Sequence, residues 1–168
     1  MEEIVAGISL NRLRDILKKE VKKISLTDMH ELSVYFQNET RFLPEDYKRE
    51  YVNSVQTVLL SRLTSLRNDT CNYDGEIEED DVKLINELLE RKDNNTQYIL
   101  NITVIYARYF LKEPVHNINT IIPGPKKVYK KGKYYYCPMK KYHITNNKSV
   151  CKYCIAKIEE EWYYVQKR

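Results

Sequence analysis

Three cysteines near the C-terminal end of this chain, Cys137, Cys151 and Cys154, are the residues whose type and spacing carry chemistry. Cys151 and Cys154 form a CxxC, which lets two thiolates reach one cation from a single turn, and Cys137 stands fourteen residues upstream of Cys151. A structural zinc site needs a fourth donor. His143 supplies it locally, in the pattern Cys137-x5-His143-x7-Cys151-x2-Cys154, and is the expected ligand. The alternatives are Cys71, from a loop far back in the chain, and His116, which requires the segment from Pro114 to Pro125 to fold over the cysteines. Zinc is the expected cofactor, with an iron-sulfur cluster as the alternative because thiolates hold both. A closed four-donor site is structural, whereas three donors and an open position make a metalloenzyme. A thioredoxin-type redox pair needs a βαβ context that the sequence lacks.

The cysteines lie in a basic region. Residues 1–122 carry 16 Lys and Arg against 21 Asp and Glu, a net of −5, while residues 123–168 carry 12 against 3, a net of +9. The lysines are interleaved with tyrosines, and Lys130, Lys131, Lys133 and Tyr134 are the expected contacts for RNA or single-stranded nucleic acid, by phosphate pairing and base stacking. A solvated lysine face is the bland alternative. The 4 glycines are too scattered for a GxGxxG or GxxxxGK[ST] loop, and there is no serine elbow, HExxH or paired-carboxylate motif.

The elements that must position these residues can be read from periodicity. Ile4, Ile8, Leu13, Ile16, Leu17, Val21 and Ile24 make the stripe of a first amphipathic helix, and Thr27 is the expected cap of a second that ends near Arg41. A third follows Pro44, with Tyr47, Tyr51, Val55, Leu59, Arg62, Leu63 and Leu66 on one face. A fourth begins in the acid run Glu76 to Asp81, and a fifth spans residues 96–112. Residues 126–137 read as a β-hairpin around Gly132 that delivers Cys137 to a turn, and Ile155 to Val165 as a closing helix. The expected fold is therefore mainly α. A bundle of about five helices over residues 1–113 precedes a basic hairpin, cysteine knuckle and closing helix over residues 114–168, packed on the bundle. An N-terminus opening with Glu2 and Glu3, and no long uninterrupted apolar stretch, predict a cytoplasmic protein with reduced thiols and no membrane partner.

The segments Glu113-Pro114-Val115-His116, Pro123-Gly124, Tyr135-Tyr136-Cys137-Pro138-Met139-Lys140 and Cys151-Lys152-Tyr153-Cys154 resemble the C-terminal signature of an uncharacterised family of small archaeal proteins found in methanogens. The resemblance covers residues 108–157, with Asn117 after the histidine and Pro125 in place of a second glycine as departures. His143 does not belong to that signature, so the resemblance weakens it as the fourth ligand and lifts His116; it implies no reaction. Three readings stay open: a structural-zinc protein with a nucleic-acid-binding module, a metalloenzyme, and a protein-interaction adaptor.

Overall fold

The computed structural model describes residues 4–90, 95–118, 120, 122, 127–146 and 149–159. Five long helices, α1 (Leu10–Val21), α2 (Leu26–Glu39), α3 (Glu45–Asn68), α4 (Glu79–Glu90) and α5 (Asn95–Tyr106), are followed by a small sheet of β1 (Tyr129–Lys131), β2 (Tyr134–Cys137) and β3 (Lys157–Ile158), with a short helix α6 (Lys140–His143) between β2 and β3. The mainly helical reading of the sequence is correct.

Helix α5 is the hub of the bundle. It packs on α1, α2, α3 and α4, and it is apolar nearly all round, with Ile99, Ile102, Val104 and Ile105 buried. A helix with no polar face must be surrounded. Its buried Asn101 donates to the carbonyl of Leu88 at 2.8 Å, so the polar side chain is satisfied and tied to α4. Helices α1 and α4 each bury one stripe against it, Leu13, Ile16, Leu17 and Val21 from α1 and Val82, Ile85, Leu88 and Leu89 from α4.

Local chemistry moves three predicted boundaries. Ile4 and Ile8 precede α1, because the hydroxyl of Ser9 caps the helix while Ile8 and Gly7 pair with Ile77 of the chain leading into α4. Gly7 there has φ 75°, a left-handed conformation that favours glycine. The cap of α2 is Ser25, not Thr27: Asp28 N–H donates to the Ser25 hydroxyl, and the Asp28 carboxylate accepts the Ser25 N–H at 2.7 Å, a capping box. The predicted closing helix does not start at Ile155, since Lys157 and Ile158 lie parallel to Tyr136 and Cys137 as β3. That pairing, with Cys154 and Ala156 carbonyls drawn to one lysine ammonium, keeps the strand extended. From residue 160 on, the predicted helix falls outside the described residues.

The hairpin matches its sequence reading. Tyr129 faces Tyr136 across β1 and β2 with stacked rings 5.4 Å apart, and Gly132 turns the chain at φ 60°. The buried core around the sheet is small, consisting of Ile122, Val128, Cys137, Cys154 and Ala156. Five such residues cannot stabilise a free-standing unit. The segment is instead stitched to the bundle. Tyr153 is buried in the bundle core and donates to Glu87 at 2.9 Å, and Arg108 donates to its carbonyl at 3.2 Å. Arg62, only 4% exposed, lies in the apolar stripe of α3 and donates to the carbonyls of Pro114 and Val115 and, at 2.7 Å, to Asn117 Oδ1. Its counter-charge is Glu113, 3.6 Å away.

Arg62→Met keeps the apolar stem but leaves these buried acceptors without donors. We expect it to destabilise the fold by about 2–4 kcal/mol in urea denaturation.

Candidate metal centre

The backbone hydrogen bonds of the β2–α6 turn set the environment of Cys137. Its sulfur accepts the N–H groups of Met139 and Lys140. Cys151 sits in a helical turn of residues 150–152 whose cap is Ser149; the Ser149 side chain also hydrogen-bonds the Cys151 sulfur. The Cys154 sulfur accepts the N–H of Val115 at 3.3 Å. Each of the three sulfurs is thus met by a donor, and at Cys137 and Cys151 these hydrogen bonds favour the thiolate. Burial works the other way. It pushes the Cys137 and Cys151 thiols up from their ordinary value, and each of the two feels the charge of Cys154.

The histidines stand at the same place. His116 follows Val115 in the stretch held by Arg62, and it lines, with His143, Cys137 and Cys151, a cavity of about 720 Å³ between the knuckle and helices α2 and α3. Desolvation lowers the pKa of His116 to about 4, with the charges of Arg62 and His143 acting in the same direction. Its imidazole is therefore neutral at pH 7 and available as a lone-pair donor. Cys71 is exposed in the α3–α4 connection, where its N–H donates to Asp69 at 2.9 Å and its carbonyl accepts from Arg14. Among the described residues, no three His, Cys, Asp or Glu side chains are close enough to hold a metal ion as they stand.

Two contributors were not marked as such in the sequence. Lys140 is 9% exposed, and its ammonium donates to the carbonyls of Cys154 and Ala156, both at 2.7 Å. It has no carboxylate partner among the described residues, and its charge favours the Cys151 thiolate. Tyr51 of α3 faces Cys151, and burial pushes its hydroxyl up to about 12. Tyr51 and Arg62 showed in the sequence only as members of the same α3 stripe.

Lys130, Lys131 and Lys133 are exposed at the hairpin tip, and Tyr134 is 42% exposed. Its ring already carries the protein's own cations, Lys157 at 3.5 Å and Lys133 at 5.3 Å from the centroid, and Lys130 lies 5.0 Å from that of Tyr135.

Among known proteins, residues 9–159 match a family described as an uncharacterized protein conserved in archaea (DUF2115). The match extends well beyond the C-terminal segment that carried the resemblance. A relative from Methanococcus maripaludis is 34% identical over 149 residues, covering 84% of this chain and 91% of the relative. Another from Methanocaldococcus jannaschii is 30% identical over 155 residues, covering 86% and 93%. A third, from Methanothermobacter thermautotrophicus, is 29% identical over 153 residues, covering 86% and 93%. All three bear the name UPF0305 protein, which states no activity. No solved structure matches the chain significantly. No helix among the described residues is long and apolar enough to cross a membrane.

The depressed pKa of His116 has a consequence for stability. Between about pH 6.5 and pH 4 the unfolded chain binds a proton there that the folded chain does not, so stability falls as the pH drops through that window. In chelating buffer, His116→Gln should flatten the slope of unfolding free energy against pH by up to about 1.4 kcal/mol per pH unit. Urea denaturation of both proteins from pH 7 to pH 4.5 measures this.

Proposed function

The chain belongs to the archaeal DUF2115 family, and we propose, from its own residues rather than from that membership, that it is a cytoplasmic metal-binding protein with a structural zinc at Cys137, Cys151 and Cys154. The observation that carries this reading is Lys140: a buried ammonium held on the Cys154 and Ala156 carbonyls, its charge acting on the Cys151 sulfur, with no carboxylate partner among the described residues. An unpaired buried cation costs several kcal/mol. A zinc ion bound by three thiolates and one neutral histidine carries a single negative charge, which offsets it. The hydrogen-bond donors at all three sulfurs point the same way. The fourth donor is His143 or His116, both in the cavity wall, with Cys71 the remoter choice. When bound, zinc would hold the sulfurs as thiolates and cross-link the β2–α6 turn to residues 151–154. Because the ligands are not gathered as they stand, closing the site involves their rotation toward the ion, so that binding and local ordering are coupled.

Elemental analysis of the purified protein tests the proposal. We expect one zinc per chain, lost on changing Cys137, Cys151 or Cys154 to Ser and retained in Cys71→Ser. Iron with visible absorption would replace zinc by an iron-sulfur cluster. Lys140→Met should lower zinc affinity about tenfold, as does removal of other groups behind a metal's ligands, in competition with a chelating dye.

A second reading is that the hairpin binds RNA or single-stranded nucleic acid. Its support is the exposed group of Lys130, Lys131 and Lys133 at the hairpin tip, with Lys157 of β3 over the Tyr134 ring. Since Lys133 and Lys157 cover Tyr134, phosphate contacts outweigh stacking. Replacing the three lysines by Glu should abolish binding of a labelled single-stranded oligonucleotide, and wild-type affinity should fall steeply with salt. A free oligonucleotide at low salt and micromolar protein would leave the lysines a solvated face.

A further inference from the structure

The cavity beside the knuckle is larger than a metal site needs. At about 720 Å³ it falls within the range of small-molecule pockets. Phe36, Val55 and Leu59 form its bundle wall, and Met139 and Val150 its knuckle wall. No lysine or arginine lines it among the described residues, and its one acid, Glu39, is exposed. Arg62 and Lys140 are close by, but their donors are engaged with backbone carbonyls and Asn117. Apart from His143, whose charge acts on His116, an anion finds no free cation in these walls among the described residues, and a cation finds Glu39 and the Cys137 and Cys151 sulfurs. Inside, Tyr51 offers a hydroxyl that makes no hydrogen bond among the described residues.

We propose that this cavity binds a small uncharged molecule with a largely apolar body and one hydrogen-bonding head, the head meeting Tyr51. The occupant is a small molecule rather than a peptide, because the walls supply neither an exposed strand edge nor paired charges for a backbone. The inference rests on the metal reading only in that the knuckle must be ordered to form one wall. Metal content, measured on the same sample, reports on that reading separately.

The test uses two fluorescent probes of the same ring skeleton, neutral N-phenyl-1-naphthylamine and its sulfonated relative 1-anilinonaphthalene-8-sulfonate. The neutral probe should bind saturably, one per chain, with a blue shift. The sulfonate should bind about tenfold or more weakly at pH 8, because no lysine or arginine in the walls offsets its desolvation. Leu43→Trp fills the cavity from the α2–α3 connection, where Leu43 is only half-buried, and should remove at least about nine-tenths of the affinity. Tyr51→Phe preserves the apolar wall and should weaken the neutral probe about threefold to tenfold, the effect of one hydrogen bond. Circular dichroism confirms that both variants retain their helices. No saturable binding of the neutral probe, whatever the metal content, overturns the inference. So does equal or tighter binding of the sulfonate, or an unchanged affinity in Leu43→Trp. Neutral-probe binding by metal-free protein supports the cavity while the elemental analysis counts against zinc.

Discussion

The hydrogen bonds of Arg62 are the constraint on which the C-terminal half of the molecule depends. A guanidinium inside the apolar stripe of α3 is tolerable only if its donors are satisfied, and the carbonyls of Pro114 and Val115 with the Asn117 side chain satisfy them. In meeting that need they fix the chain as it leaves the bundle. Val115 is then placed to donate to Cys154, and His116 to enter the cavity wall. A buried cation in a helix thus determines where a segment more than fifty residues away presents its imidazole.

Lys140 repeats the device on a smaller scale. It draws the carbonyls of Cys154 and Ala156 together, which sets the parallel pairing of β3 on β2 and brings the last cysteine toward the first. The two cations differ in one respect. Arg62 has Glu113 within 3.6 Å, whereas the ammonium of Lys140 meets backbone carbonyls and no carboxylate among the described residues, and its charge acts on the Cys151 sulfur. The metal reading follows from that asymmetry.

The helices were legible because their buried residues recur at helical spacing and because Pro44 and the acidic first turns of α3 and α4 mark starts, whereas the cap of α2 was read at Thr27 instead of Ser25. Leu13, Ile16, Leu17 and Val21 read directly onto the buried face of α1. Ile4 and Ile8 share that spacing yet lie outside the helix, since periodicity does not register a backbone pairing with Ile77. The spacing of Cys137, Cys151 and Cys154 suggested a shared site, yet their side chains are not gathered as they stand, whereas the hairpin was legible from its tyrosines and Gly132. Lys140 was not, because one lysine among nine between residues 126 and 152 carries no mark of burial, which is decided by the fold of residues 154–156 around it. Tyr51 was legible only as part of an apolar stripe; that its hydroxyl opens into a cavity depends on a wall built by residues far along the chain. The strand β3 was read as helix because Ile155 and Ile158 fit a helical stripe, whereas tertiary pairing overrode that local pattern.

The basic character of the C-terminal quarter now divides into parts. Lys140 is internal, Lys152 lies 3.6 Å from Glu87 on α4, and the hairpin lysines project from the protein over their own tyrosine rings. Among the described residues, the hairpin lysines make a surface field together with the exposed Lys127, Lys141 and Lys157. The central claim, that Lys140 and three donor-matched sulfurs form one metal centre, is tested most directly by titrating the metal-free protein with cobalt(II) and recording its absorption. The account predicts saturation at one equivalent, with intense thiolate-to-cobalt charge transfer and the visible bands of a tetrahedral ion. A weak six-coordinate spectrum without charge transfer, or no saturation at one equivalent, would contradict it.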